Sequence, residues 1–161
     1  MKRWSILSLL AVLVLALLVH APPASAQPQE ASGSFAIVAQ TPVETRLADG
    51  NIILSADETI AVSGDFEGTL MITTVYNFHP NGTFTSQSEG AFNGTLFNGP
   101  EGTLTYKSAG WGEWTTVGGN PTPLTFEGRN VGRGIGGGLS NLHFNGSFDA
   151  PNYTGDVHFA P

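Results

Sequence analysis

Gly64-Asp65-Phe66-Glu67-Gly68-Thr69-Leu70, read together with Phe92-Asn93-Gly94-Thr95-Leu96, decides the fold class. The unit aromatic, polar, Gly, polar, apolar returns as Phe144-Asn145-Gly146-Ser147-Phe148. It returns in part as Glu101-Gly102-Thr103-Leu104 and Phe126-Glu127-Gly128. Alternation at period two marks strands. A glycine in a strand interior gives up side-chain packing and adds backbone entropy to the cost of folding. Its repeated use therefore points to strands that bend or admit a close neighbour. Strands bent in this way close barrels.

The connection between the first two copies supports pairing. Pro80-Asn81-Gly82 suits a three-residue hairpin loop, with Pro at the first turn position and Gly supplying the left-handed residue of a bulge. The register that follows sets Leu70 opposite Phe92, Phe66 opposite Leu96, Phe78 opposite Phe84 and Gly68 opposite Gly94, so one face is largely apolar. The other face pairs Thr73 with Glu89 and Thr69 with Asn93. Met71 and Val75 share it against the pattern.

Working outward, a loop at Asp149-Ala150-Pro151-Asn152 makes a second hairpin. It sets Leu142 opposite Phe159, Phe144 opposite Val157, Phe148 opposite Tyr153, and glycine again against glycine, Gly146 with Gly155. Asn98-Gly99-Pro100-Glu101-Gly102 is read as a turn that puts Leu96 opposite Leu104 and lays Tyr106 over Gly94. Toward the N-terminus, Ser34 to Ala39 reads as a strand stopped by Thr41-Pro42. Ala48-Asp49-Gly50-Asn51 is a turn, and Ala56 to Val62 is a loop with a short strand. Lys107 to Asn120 is the least regular ordered region and Leu124 to Val131 a further strand. Gly132 to Gly138 is either a mobile loop or a strand edge with close backbone packing. No sustained 3.6-residue period appears after residue 26. The expected fold is all-β, a single antiparallel barrel of about eight strands.

The first residues fall outside that pattern. Lys2-Arg3, an apolar run from Ile6 to Val19 and Ala24-Ser25-Ala26 have the form of a secretory signal peptide, residues 1–26, with cleavage before Gln27. The run is shorter than the ~20 residues a spanning helix wants. Residues 27–33 are read as a flexible leader and 34–161 as the barrel domain, in a protein expected to be secreted or periplasmic.

Cleavage would leave Arg46, Lys107, Arg129 and Arg133 against 13 acidic residues, a net charge of −9. Nucleic acid and anionic membranes need a basic footprint and are excluded as partners. The chain contains no cysteine, so disulfides, thiolate chemistry and cysteine-bound metal are excluded too. No cofactor is implied.

The succession of Gly33-Ser34-Phe35, Arg46-Leu47-Ala48-Asp49-Gly50-Asn51, Gly64 to Thr69, Gly132-Arg133-Gly134, Leu139 to Phe148 and Tyr153-Thr154-Gly155 resembles bacterial secreted proteins of unknown function that share the allene-oxide-cyclase-like, calycin-like β-barrel. The resemblance implies an antiparallel barrel of about eight strands. The plant cyclases of that fold bind an unsaturated fatty-acid epoxide in the barrel, but no motif carries their pocket residues to positions here. Fold alone does not transfer an activity.

Two clusters carry candidate chemistry. Tyr106, Trp111, Glu113 and Trp114 form a candidate ligand-binding lip, with Glu113 between two large aromatics. The second hairpin sets His143 across from His158, with Asp156 on the same face. These three are candidate ligands for a divalent metal, weighed against a solvated sheet surface. Asp57-Glu58 and Asp65/Glu67 lack calcium-loop spacing and read as solvated turns. No Gly-x-Ser-x-Gly and no phosphate-loop ending occurs, and no catalytic residue is identified. The expected role is non-covalent binding of a small apolar molecule. The alternatives are an isomerase or cyclase of a lipid-like substrate and a purely structural extracellular module.

Overall fold

A computed structural model describes residues 27–160 of the chain. The signal segment read at 1–26 lies outside the described residues. The strands are β1 (Gln29–Ala48), β2 (Asn51–Gly64), β3 (Phe66–Phe78), β4 (Thr83–Leu96), β5 (Gly102–Val117), β6 (Asn120–Pro123), β7 (Glu127–Gly137), β8 (Leu142–Asp149) and β9 (Asn152–Phe159). They form one antiparallel sheet that closes in a ring. The path runs β1-β2-β3-β4-β5-β7-β8-β9 and returns to β1, while β6 pairs only with the end of β5.

Both hairpin registers read from the turns are present. Phe66 faces Leu96 and Gly68 faces Gly94. Leu142 faces Phe159 and Gly146 faces Gly155. Gly82 takes the left-handed conformation that the three-residue loop needs, with φ 84°. The β4–β5 hairpin differs from expectation. Its loop occupies 97–101, where Phe97 and Asn98 both have positive φ, so Leu104 faces Phe92 and Gly94 faces Gly102. The shift is an even number of residues, so every side chain keeps its face. Tyr106 still lies over glycine, but between Gly90 on β4 and Gly132 on β7.

Other expectations are corrected. Gln29–Ser34, read mostly as leader, pair with Asn152–Val157 of β9 and complete the ring, with Ala31 fully buried. Thr41-Pro42 does not stop β1. The strand absorbs the break in bulges at Ile37/Ala39 and Pro42/Glu44, and these preserve pairing with β2 past the proline. Residues 56–62 are continuous strand, and the irregular stretch after Lys107 is most of β5. The glycine run is the end of β7. Gly134 and Gly102 leave room there for the backbone of Leu139, which folds into the interior from the β7–β8 turn and is 1 % exposed.

Alternation sends one side chain in two inward. One end of the interior is packed with Phe66, Leu70, Phe92, Leu96, Leu104 and Phe144, the other with Tyr76, Phe78 and Phe84 beneath Trp114. Aromatic rings occupy the space that glycines vacate. A Cβ built on Gly146 would lie 2.7 Å from Phe144 Cζ, and one on Gly155 would lie 2.5 Å from Phe144 Cε2. The paired glycines thus serve the packing of one phenylalanine.

Candidate functional site

A row of polar side chains crosses the interior between the two apolar ends. The registers set Thr74 opposite Ser88, Ser88 opposite Ser108 and Ser108 opposite Asn130, on β3, β4, β5 and β7 in turn. Asn130 then faces Gly146, and Gly146 faces Gly155. All four polar residues point inward by the same parity that buries Phe84 and Phe92.

Glu58 of β2 completes the row. It is 4 % exposed and is held by three donors. Gln40 Nε2 donates to Oε1 at 2.6 Å, Tyr76 OH donates to Oε1 at 2.7 Å, and Thr74 Oγ1 donates to Oε2 at 2.7 Å. Because Thr74 spends its proton on Glu58, the 2.9 Å contact between the hydroxyls of Thr74 and Ser88 has Ser88 as donor. No cation shares this space among the described residues. Arg46, Lys107, Arg129 and Arg133 are all exposed, and the ion pairs Arg46–Glu44 and Lys107–Glu89 lie on the surface. The three donors that hold the carboxylate are all neutral. Burial, then the charge of Glu58 and the hydrogen bond to it, hold the Tyr76 hydroxyl well above the usual tyrosine range.

Beside the row lies a cavity of about 80 Å³. Its apolar wall includes Ile60, Phe66, Leu70, Phe92, Leu104 and Phe144, and its polar wall is Glu58, Ser88, Ser108 and Asn130 with Tyr106. Burial raises the pKa of Tyr106, opposed by hydrogen bonding from Ser108 and Asn130, so its hydroxyl stays protonated. Among the described residues two polar atoms inside the ring have no hydrogen-bond partner, Ser86 Oγ and Asn130 Oδ1. Of these two residues only Asn130 lines the cavity. The lining meets solvent beside Ile37, which is 46 % exposed. Here β1 has left β9, since their pairing ends at Ser34.

The lip read from sequence is divided between faces. Trp111 and Glu113 are odd-numbered residues of β5 and point outward; Trp111 is 42 % exposed and donates its indole N–H to Glu127 Oε1 at 2.8 Å. Trp114 points to the inner face, packs on Phe78 with ring centroids 5.2 Å apart and donates to the His79 carbonyl at 2.9 Å. It plugs the end of the ring. Glu113 is therefore not enclosed between two indoles, because residues 113 and 114 of a strand face opposite ways. Tyr106 alone of the four lines the cavity.

His143 and His158 do face each other on the outer surface, their rings stacked at 5.0 Å. The three-ligand set with Asp156 is not assembled. Among the described residues no group of three His, Cys, Asp or Glu side chains converges as metal ligands, and register sets Arg133 across from His143.

Glu58, Thr74, Ser88, Ser108 and Asn130 were missed as a group. The Thr74–Ser88 contact was implicit in the first hairpin register, whereas Ser108 and Asn130 required the corrected β4–β5 pairing. Glu58, read as part of a solvated turn, is buried because β2 runs unbroken through it.

No family model matches the chain, and no curated protein matches it. Among solved structures it is similar to a protein of unknown function from the DUF3224 family of Shewanella oneidensis MR-1, with TM-score 0.60 and 14 % identity over 84 % of this chain and 99 % of that one. At that identity the likeness shows the fold alone, an all-β protein whose function is not characterised.

Proposed function

We propose that the chain is an exported binding module whose sheet acts as an allene-oxide-cyclase-like barrel and holds a small, mainly apolar molecule in its interior without covalent chemistry. The observation that carries this reading is the interior cavity, walled by aromatic and aliphatic side chains with polar groups on one side only. Ligand sites have this composition, since apolar walls supply affinity and a few polar groups fix orientation. The enclosed space is smaller than the ~300 Å³ at which drug-sized pockets begin, so the enclosed part of the ligand is small, on the order of three water-sized groups.

Two measurements test the reading. Native mass spectrometry of protein purified from its own host is expected to show an added small mass. Xenon or benzene, which enter dry apolar cavities, is expected to shift the amide NMR signals of Leu70, Phe92 and Leu104 while leaving the outer face near Trp111 unchanged. Absence of both effects would leave a purely structural module.

A further inference from the structure

We infer that the ligand presents a hydrogen-bond donor to Asn130 Oδ1 and carries no negative charge, an inference that rests on the interior cavity being a ligand site. Asn130 is 6 % exposed and lines the cavity, and its buried Oδ1 has no partner among the described residues. A buried acceptor left unpaired is unfavourable by about 1–3 kcal/mol, and a donor on the ligand recovers that penalty on binding. The place of Oδ1 is set by a neighbour without a side chain. Gly146 lies opposite Asn130, and a Cβ built there would come within 2.9 Å of Oδ1. The amide oxygen therefore takes the space over Gly146 that a side chain on β8 would fill.

Glu58 fixes the sign of the charge. Its carboxylate has four lone-pair sites and three donors, and it lines the same cavity with no cation beside it. Two residues that carry acceptors, one of them a carboxylate, thus line one small volume. A fatty acid or other carboxylate would bring a second negative charge into low dielectric against the first, while a hydroxyl or an ammonium group would complete the row. The apolar wall of Leu70, Phe92 and Leu104 takes the rest of the molecule.

The test is an NMR titration of the full mature chain at neutral pH with benzene, phenol, benzylamine and benzoate, which share a ring and differ in the polar group. Phenol or benzylamine, or both, is expected to bind roughly 3- to 10-fold more tightly than benzene, the gain of one hydrogen bond. Benzoate is expected to bind more weakly than benzene. Which donor gains more reports whether the head group is neutral or cationic. In Asn130→Leu, similar in size, benzene binding is retained and the phenol advantage is lost. If no compound perturbs the cavity signals, the ligand site itself is refuted. If benzene binds but neither donor gains over it, or benzoate equals phenol, the donor selectivity is refuted and the ligand site stands. These wild-type comparisons decide the matter even if Asn130→Leu does not fold.

Discussion

Glu58 shows how one residue's environment departs from its composition. Flanked by Asp57 and Thr59, it has the look of a surface turn, yet Asp57 accepts from Thr73 Oγ1 at 2.7 Å on the outer face while Glu58 points inward to three donors. The donors are supplied by two neighbouring strands, Gln40 on β1 and Thr74 and Tyr76 on β3, with Ser88 on β4 behind Thr74. Tyr76→Phe removes one of them and is expected to destabilise the fold by about 1–3 kcal/mol at neutral pH. The same substitution changes the alkaline limb of stability. All three tyrosines, Tyr76, Tyr106 and Tyr153, are raised above the ordinary value, chiefly by burial. An unfolded tyrosine loses its proton near pH 10, where the native ones still hold theirs. Native stability from this source is intact below about pH 10 and falls as pH rises beyond it. Tyr76→Phe should shed less stability than wild type between about pH 9 and about pH 11 in urea melts; an equal or steeper fall would refute the assignment.

At the scale of the element, β1 has two roles that its sequence does not separate. Its first residues close the ring against β9, and its remainder pairs with β2 alone, leaving the other edge free from Ala36 onward among the described residues. Pro42, two bulges and the charged Glu44 and Arg46 lie along that edge, devices that discourage further strand addition. Deleting 27–34 from a chain that begins at Gln27 removes the β1–β9 ladder and the buried Ala31. At about 1 kcal/mol for each ladder hydrogen bond the loss is on the order of 3–6 kcal/mol, a large share of the stability of a domain this size. An unchanged urea midpoint in the truncated protein would show that closure at β9 contributes little. β5 teaches a related point. Trp111 and Trp114 sit three residues apart, and an odd spacing in a strand sends them to opposite faces, one to solvent and one to the end of the core.

For the whole molecule, ring closure without a cysteine means that hydrogen-bonded edges and the two aromatic clusters hold the domain together. β1 begins at Gln29, two residues beyond the proposed cleavage point, so a chain cut after Ala26 would start at the edge of the sheet. N-terminal sequencing of exported protein is expected to begin at Gln27, and a start within β1 would overturn the proposed processing, since it would remove part of the closing ladder.

The sequence by itself determined the all-β class, the two hairpins closed by Pro80-Asn81-Gly82 and Asp149 to Asn152, and the faces that their four strands present. Each of these depends on local signals, a period of two and a turn whose residue types select its length. The tertiary structure alone decided what meets across the interior. The polar row requires the β4–β5 and β5–β7 registers together, and a four-residue offset in the first would set Ser88 against Gly112 in place of Ser108. Parity survives such an offset because it is even, so the apolar pattern looks equally satisfied in either register. Only packing distinguishes them: Tyr106 fits over Gly90 and Gly132, Leu139 fits between Gly102 and Gly134, and the resulting ring brings Glu58, Ser108 and Asn130 from distant parts of the chain to one cavity.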